Sequence, residues 1–266
     1  MMHIARAQIK KEAKEKLRGH WGEAILVGLL PFLVLFFTEA AAINQAMATM
    51  KANPNAASAA SDSTNLLARS LLLNASAGTS SVQNILLDLL ATLLMASTAL
   101  GFLSLWRREP DQMNPFLRSL IGFRPEYIGG LIVNYIVLSL IGYIPSLIGA
   151  IGDKLWIDVL MSIAFICVVI IQIGFSQTYY IYHDAVDAGH GNIFQALKLS
   201  WQLMSGFKWQ YFVLQLSFIG WSLLTLFLGM LPYLWIYPYM SMTYAGFYTQ
   251  LKEYKPDLLN PAVSKK

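Results

Sequence analysis

The sequence predicts an all-α fold, a polytopic membrane bundle of about six transmembrane helices with amphipathic interfacial helices on its cytoplasmic side. Composition is the first observation behind this prediction. Hydrophobic residues make up 56% of the 266 residues and charged residues only 13%, whereas a soluble domain normally carries about 25% charged residues. The second observation is that long stretches have almost no charge in their interiors. Each is close to the length of about 20 residues that a helix needs to cross a membrane.

Six such stretches are predicted to be transmembrane helices, and they run over 24–43, 85–106, 128–151, 156–182, 212–231 and 233–251. The connection 44–84 is rich in Ala, Ser and Asn, which predicts a low-complexity loop outside the cell. Gly129, Gly130 and Pro145 predict that the third helix is bent or packs closely on a neighbour. The single cysteine, Cys167, is expected to be a small apolar core residue.

Positive charge is unevenly distributed along the chain. Of the 19 Lys and Arg residues, all but Lys51, Arg69 and Lys154 fall in the N-terminal segment, in the connections after the second and fourth spans, or in the tail at 252–266. Cytoplasmic connections are the ones that carry an excess of Lys and Arg. Both termini are therefore predicted to be cytoplasmic, which requires an even number of spans. Nucleic-acid binding is not expected, because the cations flank membrane exits instead of forming one basic face.

Residues 3–21 are predicted to form a basic amphipathic helix. A narrow apolar stripe at i, i+4 spacing runs through Ile9, Ala13, Leu17 and Trp21. Flanking Lys and Arg side chains can reach lipid head groups, so we expect this helix to lie in the inner membrane interface. A plain cytoplasmic helix that only orients the protein is the alternative. The candidate lipid-contacting residues here are Lys10, Lys11, Lys14, Arg18 and Trp21.

A second interfacial helix is predicted over 192–206, where Asn192 and Gln195 match a capping box. It is too apolar for open water and too short to span a membrane. One broad apolar face is expected to contain Ile193, Phe194, Leu197, Trp201 and Met204. The candidate lipid-contacting residues here are Phe194, Lys198, Trp201 and Lys208. Anionic membrane lipids are the expected partners, because each Lys or Arg near such a surface contributes about 1 kcal/mol.

A weak candidate metal site is formed by His183, Asp187 and His190, which would share one face of a continuous helix. Gly189 is expected to break that helix before His190 is aligned. The alternative interpretation is a hydrated membrane exit that also contains Asp184. No cofactor is expected.

Polar residues within the spans are the remaining candidate site. They are Asn134, Gln172, Gln177 and Gln215. Such residues either hydrogen-bond between helices or line a polar cavity. No enzymatic activity is expected, because the sequence contains no Ser-His-Asp grouping, HExxH motif, Walker loop or dinucleotide-binding glycine pattern.

The C-terminal third carries a distinctive series of short motifs. Residues 196–208 have the sequence ALKLSWQLMSGFK, followed by LSFIGW at 216–221, PY at 238–239 and AGFY at 245–248. These motifs resemble the signature of a family of integral membrane proteins from Gram-positive bacteria, catalogued as domain of unknown function 975. The N-terminal IKKEAK and GHWG are similar to that family's opening. The resemblance implies a helical bundle in a bacterial plasma membrane, and it implies no activity or catalytic residue.

Two functions are consistent with these sequence features. The first is a non-catalytic membrane module that binds lipid or partner proteins at the inner leaflet. The second is a small transporter or export subunit for a neutral or amphiphilic solute. An apparent repeat favours transport, because Gly19, Gly122 and Gly206 each follow a short amphipathic helix and precede a span, and repeats are common in transporters. A polar cavity at membrane depth would favour transport further.

Overall fold

The computed structural model describes residues 4–52, 82–108, 114–152, 155–228 and 231–259. All regular structure within these ranges is helical, which confirms the predicted all-α class. The helices are α1 (Arg6–Leu17), α2 (Trp21–Ala52), α3 (Val82–Arg107), α4 (Pro115–Arg118), α5 (Pro125–Gly142), α6 (Ile144–Gly149), α7 (Leu155–Phe175), α8 (Thr178–Asp187), α9 (Ile193–Leu203), α10 (Lys208–Leu228), α11 (Tyr233–Tyr254) and α12 (Pro256–Leu259). A 3₁₀ turn over Ile121–Phe123 leads into α5.

The chain divides into two compact units. One unit consists of Met1–Leu30 and Thr92–Lys266, and the other of Pro31–Ala91. Helices α2 and α3 extend to Ala52 and start at Val82, so both ends of the predicted loop are helical. The rest of that loop and residues 260–266 of the predicted tail lie outside the described residues.

Four helical segments in the described ranges are long and apolar enough to cross a membrane, and they are Trp21–Thr38, Leu86–Arg107, Pro125–Gly149 and Leu155–Asp187. Large apolar side chains cover their outward faces, for example Leu155, which is 81% exposed. A soluble surface does not carry such continuous apolar area. These four segments indicate a membrane protein. The last two predicted spans fall on α10, as far as Leu228, and on α11, and neither helix is among these four segments.

The third and fourth predicted spans are not continuous helices. The third is interrupted between α5 and α6 at Tyr143, two residues before Pro145, as its composition predicted. The fourth, predicted as one helix over 156–182, is interrupted at Gln177. Hydroxyl groups on both sides of Gln177 donate to backbone carbonyls three residues earlier, Ser176 Oγ to Ile173 and Thr178 Oγ1 to Phe175. Such local bonds compete with helical ones and bend a helix.

The apolar stripe of α1 is buried against protein, whereas the sequence predicted that it lies in the inner membrane interface. Ile9, Ala13 and Leu17 are fully or almost fully buried, and α1 packs against α11. Burying side chains of the size of Ile9 and Leu17 stabilises a fold by roughly 1.5–3 kcal/mol each. The stripe is therefore part of the bundle core and is not available for insertion into lipid.

Two of the three repeated glycines have the same backbone geometry. Gly19 and Gly206 both have a φ angle of +86°, which a residue without a Cβ adopts at little cost. Gly122 instead packs closely, and a Cβ there would lie 2.7 Å from Leu131 Cδ1. The first and third glycines therefore share one turn geometry, while the second is required for packing.

Candidate functional site

An apolar groove lies between α7 and α10 on the outside of the bundle. It has a volume of about 510 Å³ and is lined by Phe165, Ile166, Val169, Ile170, Ile173, Lys208, Trp209 and Phe212. Lys208 lies at the end of the groove near Ile173, because its Cε is 3.3 Å from where a Cβ on Gly174 would stand. The groove is therefore apolar along its length and has one cation at the end where α10 begins.

The ammonium group of Lys208 is positioned by an aromatic ring. Its Nζ lies 3.0 Å from the centroid of the Trp201 ring, a cation–π contact. Trp201 also packs against Phe175, with the two ring centroids 5.5 Å apart. A Cβ on Gly174 would lie 2.5 Å from Trp201 Cε3, so the indole can approach α7 only where that residue is glycine. These contacts hold the cation and the ring together at the end of the groove.

Helix α9 has two apolar faces instead of the single face predicted. Ile193 and Leu197 are buried, whereas Phe194 is 68% exposed and Trp201 is also exposed. The predicted N-cap is confirmed, since the Asn192 side chain accepts hydrogen bonds from two backbone N–H groups in the first turn. A side chain of the size of Phe194 that projects outward from a buried helix is suited to contact lipid.

Lysines of α1 point in different directions. Lys10 Nζ donates to Ser217 Oγ at 2.6 Å and lies 4.3 Å from the Phe218 ring centroid. Lys14 Nζ lies 5.5 Å from the Tyr239 ring centroid. Burial lowers the pKa of Lys10, and the neighbouring cations Lys14 and Arg6 lower it further. These two lysines contact the bundle.

The other candidate residues of the N-terminal segment lie further out. Lys11 is 78% exposed and has Glu15 as a neighbour at 3.9 Å. Arg18 is exposed and Trp21 is half-buried at the start of α2. Lys11, Arg18 and the exposed part of Lys14 are therefore cations of this segment that head groups can reach.

A network of charged side chains joins the ends of three helices around Asp184 of α8. Arg107 of α3 donates two parallel hydrogen bonds to its carboxylate, at 2.8 and 2.9 Å. Lys252 and Tyr248, both of α11, each donate to Oδ2 at 2.8 Å. We call these four residues the Asp184 clamp. Bidentate, charge-assisted bonds of this kind are among the strongest in proteins.

The candidate metal residues do not form a metal site. His183 Nδ1 lies 3.2 Å from Asp187 Oδ2, but Asp187 also accepts a hydrogen bond from the Tyr127 hydroxyl. His190 is exposed, and α8 ends at Asp187 with Gly189 at a φ angle of +78°. The described residues contain no group of three His, Cys, Asp or Glu side chains able to hold a metal ion.

The four polar residues of the spans have different environments. Asn134 and Gln177 are buried, Gln215 is half-buried and Gln172 is exposed. Asn134 Oδ1 and Gln177 Oε1 have no hydrogen-bond partner among the described residues. None of the four lines the groove. They therefore differ in exposure, and each of the two buried ones, Asn134 and Gln177, has a carbonyl oxygen that is unpartnered within the described part of the chain.

Sequence reasoning missed the Asp184 clamp. The sequence contained one indication of it. Asp184 follows the fourth predicted span, and this exit was predicted on the same cytoplasmic side of the membrane as Arg107 and Lys252. A carboxylate close to several cations at a membrane exit is expected to pair with one of them. The sequence does not indicate which one, since these partners are 77 and 68 residues away.

Comparison with known proteins adds a family. Neither the curated proteins nor the solved structures gave a match. Residues 151–255 match the model of the family described as Protein of unknown function (DUF975). This range includes the whole groove and the Asp184, Tyr248 and Lys252 members of the clamp. The chain therefore contains a domain of unknown function 975, as its C-terminal motifs predicted.

Proposed function

We propose that this protein is a non-catalytic membrane module that binds an anionic phospholipid in the groove between α7 and α10. The observation that carries the proposal is an apolar groove that borders the candidate membrane span Leu155–Asp187 and ends at the Lys208 ammonium. One acyl chain lies along the groove, and the phosphate lies beside Lys208. In this proposal the chain crosses a bacterial plasma membrane six times with both termini in the cytoplasm.

The chemistry of the groove favours this ligand over a protein segment. Its walls are isoleucine, valine and phenylalanine side chains, which match a hydrocarbon chain and provide no partner for a peptide backbone. Unsatisfied peptide groups cost several kcal/mol each in hydrocarbon. The Trp201 ring holds Lys208 without supplying an oxygen acceptor, so the ammonium keeps its ability to pair with a phosphate oxygen. Exposed Phe194 and Lys198 extend the lipid-contacting surface along α9.

Filling the groove should displace the lipid. We expect Ile170→Trp to retain less than half of the wild-type phospholipid after purification in a mild detergent, because the indole occupies the volume of the acyl chain. Lys208→Gln should lower the preference for anionic over zwitterionic lipid about fivefold, which corresponds to about 1 kcal/mol for one cation. Mass spectrometry of bound lipid, after incubation with defined mixtures of phosphatidylglycerol and phosphatidylcholine, measures both effects.

Ile163→Trp is the matched control for the groove variant. Ile163 is an exposed residue of α7 that does not line the groove, so its replacement should leave lipid retention unchanged. Equal retention in both tryptophan variants would contradict the assignment of the groove. An unaltered lipid preference in Lys208→Gln would contradict the role of the ammonium.

The second candidate is a small transporter or export subunit for a neutral or amphiphilic solute. It is favoured by the buried carbonyl oxygens of Asn134 and Gln177, which have no partner among the described residues. Buried polar groups are normally hydrogen-bonded, and an unpaired one needs an explanation such as a bound water or ligand. A solute pathway past α5 and the α7–α8 break would supply such a partner.

Cysteine accessibility distinguishes the two candidates. The natural Cys167 is exposed on α7 and should react in membranes with a permeant thiol reagent but not with a charged, impermeant one, because lipid covers it. In a Cys167→Ser background, Asn134→Cys should also resist the impermeant reagent if the lipid-binding proposal holds. Rapid labelling of Asn134→Cys from the aqueous phase would favour the transporter. Labelling of Cys167 by the charged reagent would contradict a membrane location for α7.

A further inference from the structure

A basic pocket lies on another part of the first unit, where α1 and the start of α2 meet the end of α3 and α4. It has a volume of about 280 Å³, and its polar lining consists of Lys16, His20, Glu23, Arg108 and Arg118. None of these residues lines the lipid groove. The pocket contains three cations, Lys16, Arg108 and Arg118, and one carboxylate, Glu23, so it carries excess positive charge.

The cations of the pocket are held in place by the surrounding fold. Lys16 Nζ donates to the Trp106 carbonyl at 2.7 Å and lies 4.8 Å from the centroid of the Trp106 ring. Arg118 is buried and pairs with Glu23 at 3.3 Å. The backbone of Arg118 is fixed as well, since a Cβ on Gly101 would lie 2.6 Å from its carbonyl oxygen.

Adjacent arginines at the end of α3 have different environments. Arg107 is bound to Asp184 in the clamp, whereas Arg108 lines the basic pocket. Arg108 has a φ angle of +53°, unusual for a residue with a side chain. Burial lowers the pKa of Lys16, and the nearby Arg108 lowers it further. An anion in the pocket would relieve this repulsion.

We propose that the basic pocket binds a phosphate group, with Lys16, Arg108 and Arg118 as its ligands. Planar guanidinium groups and an ammonium are the side chains that recognise phosphate oxygens best. The volume accommodates a phosphate with a small substituent. The phosphate belongs either to a lipid head group or to a soluble phosphate compound. This site is separate from the proposed lipid groove, and neither proposal depends on the other.

Binding is measured by calorimetry on the detergent-solubilised full chain, with sodium phosphate and short-chain phosphatidic acid as separate probes at matched ionic strength. We expect saturable binding of at least one probe. Binding of both indicates recognition of the phosphate alone, and binding of phosphatidic acid only, measured in the Ile170→Trp variant whose lipid groove is blocked, indicates a lipid head group. Arg108→Gln should weaken binding at least about tenfold, since a charge-assisted hydrogen bond contributes about 1.5–3 kcal/mol. Arg108 is exposed and at a helix end, so this variant should fold normally.

Lys11→Gln is the matched control, because Lys11 belongs to the same helix as Lys16 but does not line the pocket. Its binding should equal that of the wild-type protein. The absence of saturable binding for both probes would overturn the proposal. Equal affinity in Arg108→Gln, Lys11→Gln and the wild type would overturn it too, since the anion would then bind elsewhere. Ile170→Trp, which blocks the lipid groove, should leave the binding of sodium phosphate unchanged.

Discussion

Replacing Asp184 by asparagine is expected to lower the free energy of unfolding by about 2–3 kcal/mol. The substitution removes the negative charge that Arg107 and Lys252 share and leaves two cations without their carboxylate. Removing one partner of a fully buried ion pair costs roughly 3–5 kcal/mol. The effect here should be smaller, because the Lys252 side chain is 40% exposed. Reversible unfolding in mixed micelles measures the difference.

Asp187→Asn is the control for this prediction. Asp187 lies on the same helix, but its side chain is 47% exposed, and its hydrogen-bond donor is the Tyr127 hydroxyl. An amide oxygen can still accept that bond, so the loss of stability should be about 1 kcal/mol or less. If both variants lost the same free energy of unfolding, the Asp184 clamp would not contribute the extra stability that its geometry indicates. Loss of stability in Asp184→Asn without loss of lipid retention would separate the clamp from the groove.

A methyl group on Gly130 is expected to destabilise the protein by about 1–3 kcal/mol, the usual cost of overpacking a core. A Cβ at this position of α5 would lie 2.2 Å from Cζ of Tyr182. The Tyr182 ring is buried, and its hydroxyl donates to the Glu126 carbonyl at 3.2 Å. The ring must therefore move and lose that hydrogen bond. Unfolding of Gly130→Ala under the same conditions tests the prediction.

The preceding residue provides an internal control. A Cβ on Gly129 would have no heavy atom within 4 Å, so Gly129→Ala meets no obstacle. Alanine is favoured over glycine in a helix by about 0.5–1 kcal/mol, and this variant should be as stable as the wild type or more so. Destabilisation of both variants to the same extent would show that α5 needs two flexible residues, and close packing against Tyr182 would then not be the cause.

Much of the local structure could be predicted from the sequence. The i, i+4 stripe of α1, the Asn192 N-cap and the end of α8 before Gly189 are all found where the pattern placed them. Each depends on residues within one or two helical turns. Interactions at that range are set by the periodicity of the helix and by backbone preferences, so a single sequence contains the information.

The interpretation of burial was less successful, because it depends on neighbours. Cys167 was expected in the core but is exposed, since in a membrane an apolar residue is equally stable on the lipid-facing surface. Phe194 and Ile193 were expected on one face of α9, but Ile193 is buried in the bundle and Phe194 is exposed. Hydrophobicity alone does not separate core from lipid when both are apolar.

The sequence by itself determined the class of solvent, the helical fold and the apolar stripe of α1, because composition and period are properties of short segments. Only the tertiary structure decided which cations pair with Asp184 and which of two adjacent glycines is in close contact with a neighbouring helix. It also decided where apolar helices leave a groove that ends at Lys208. These features join residues far apart in the chain. They depend on how helices cross, and that geometry follows from the sum of many weak contacts, without a local signal.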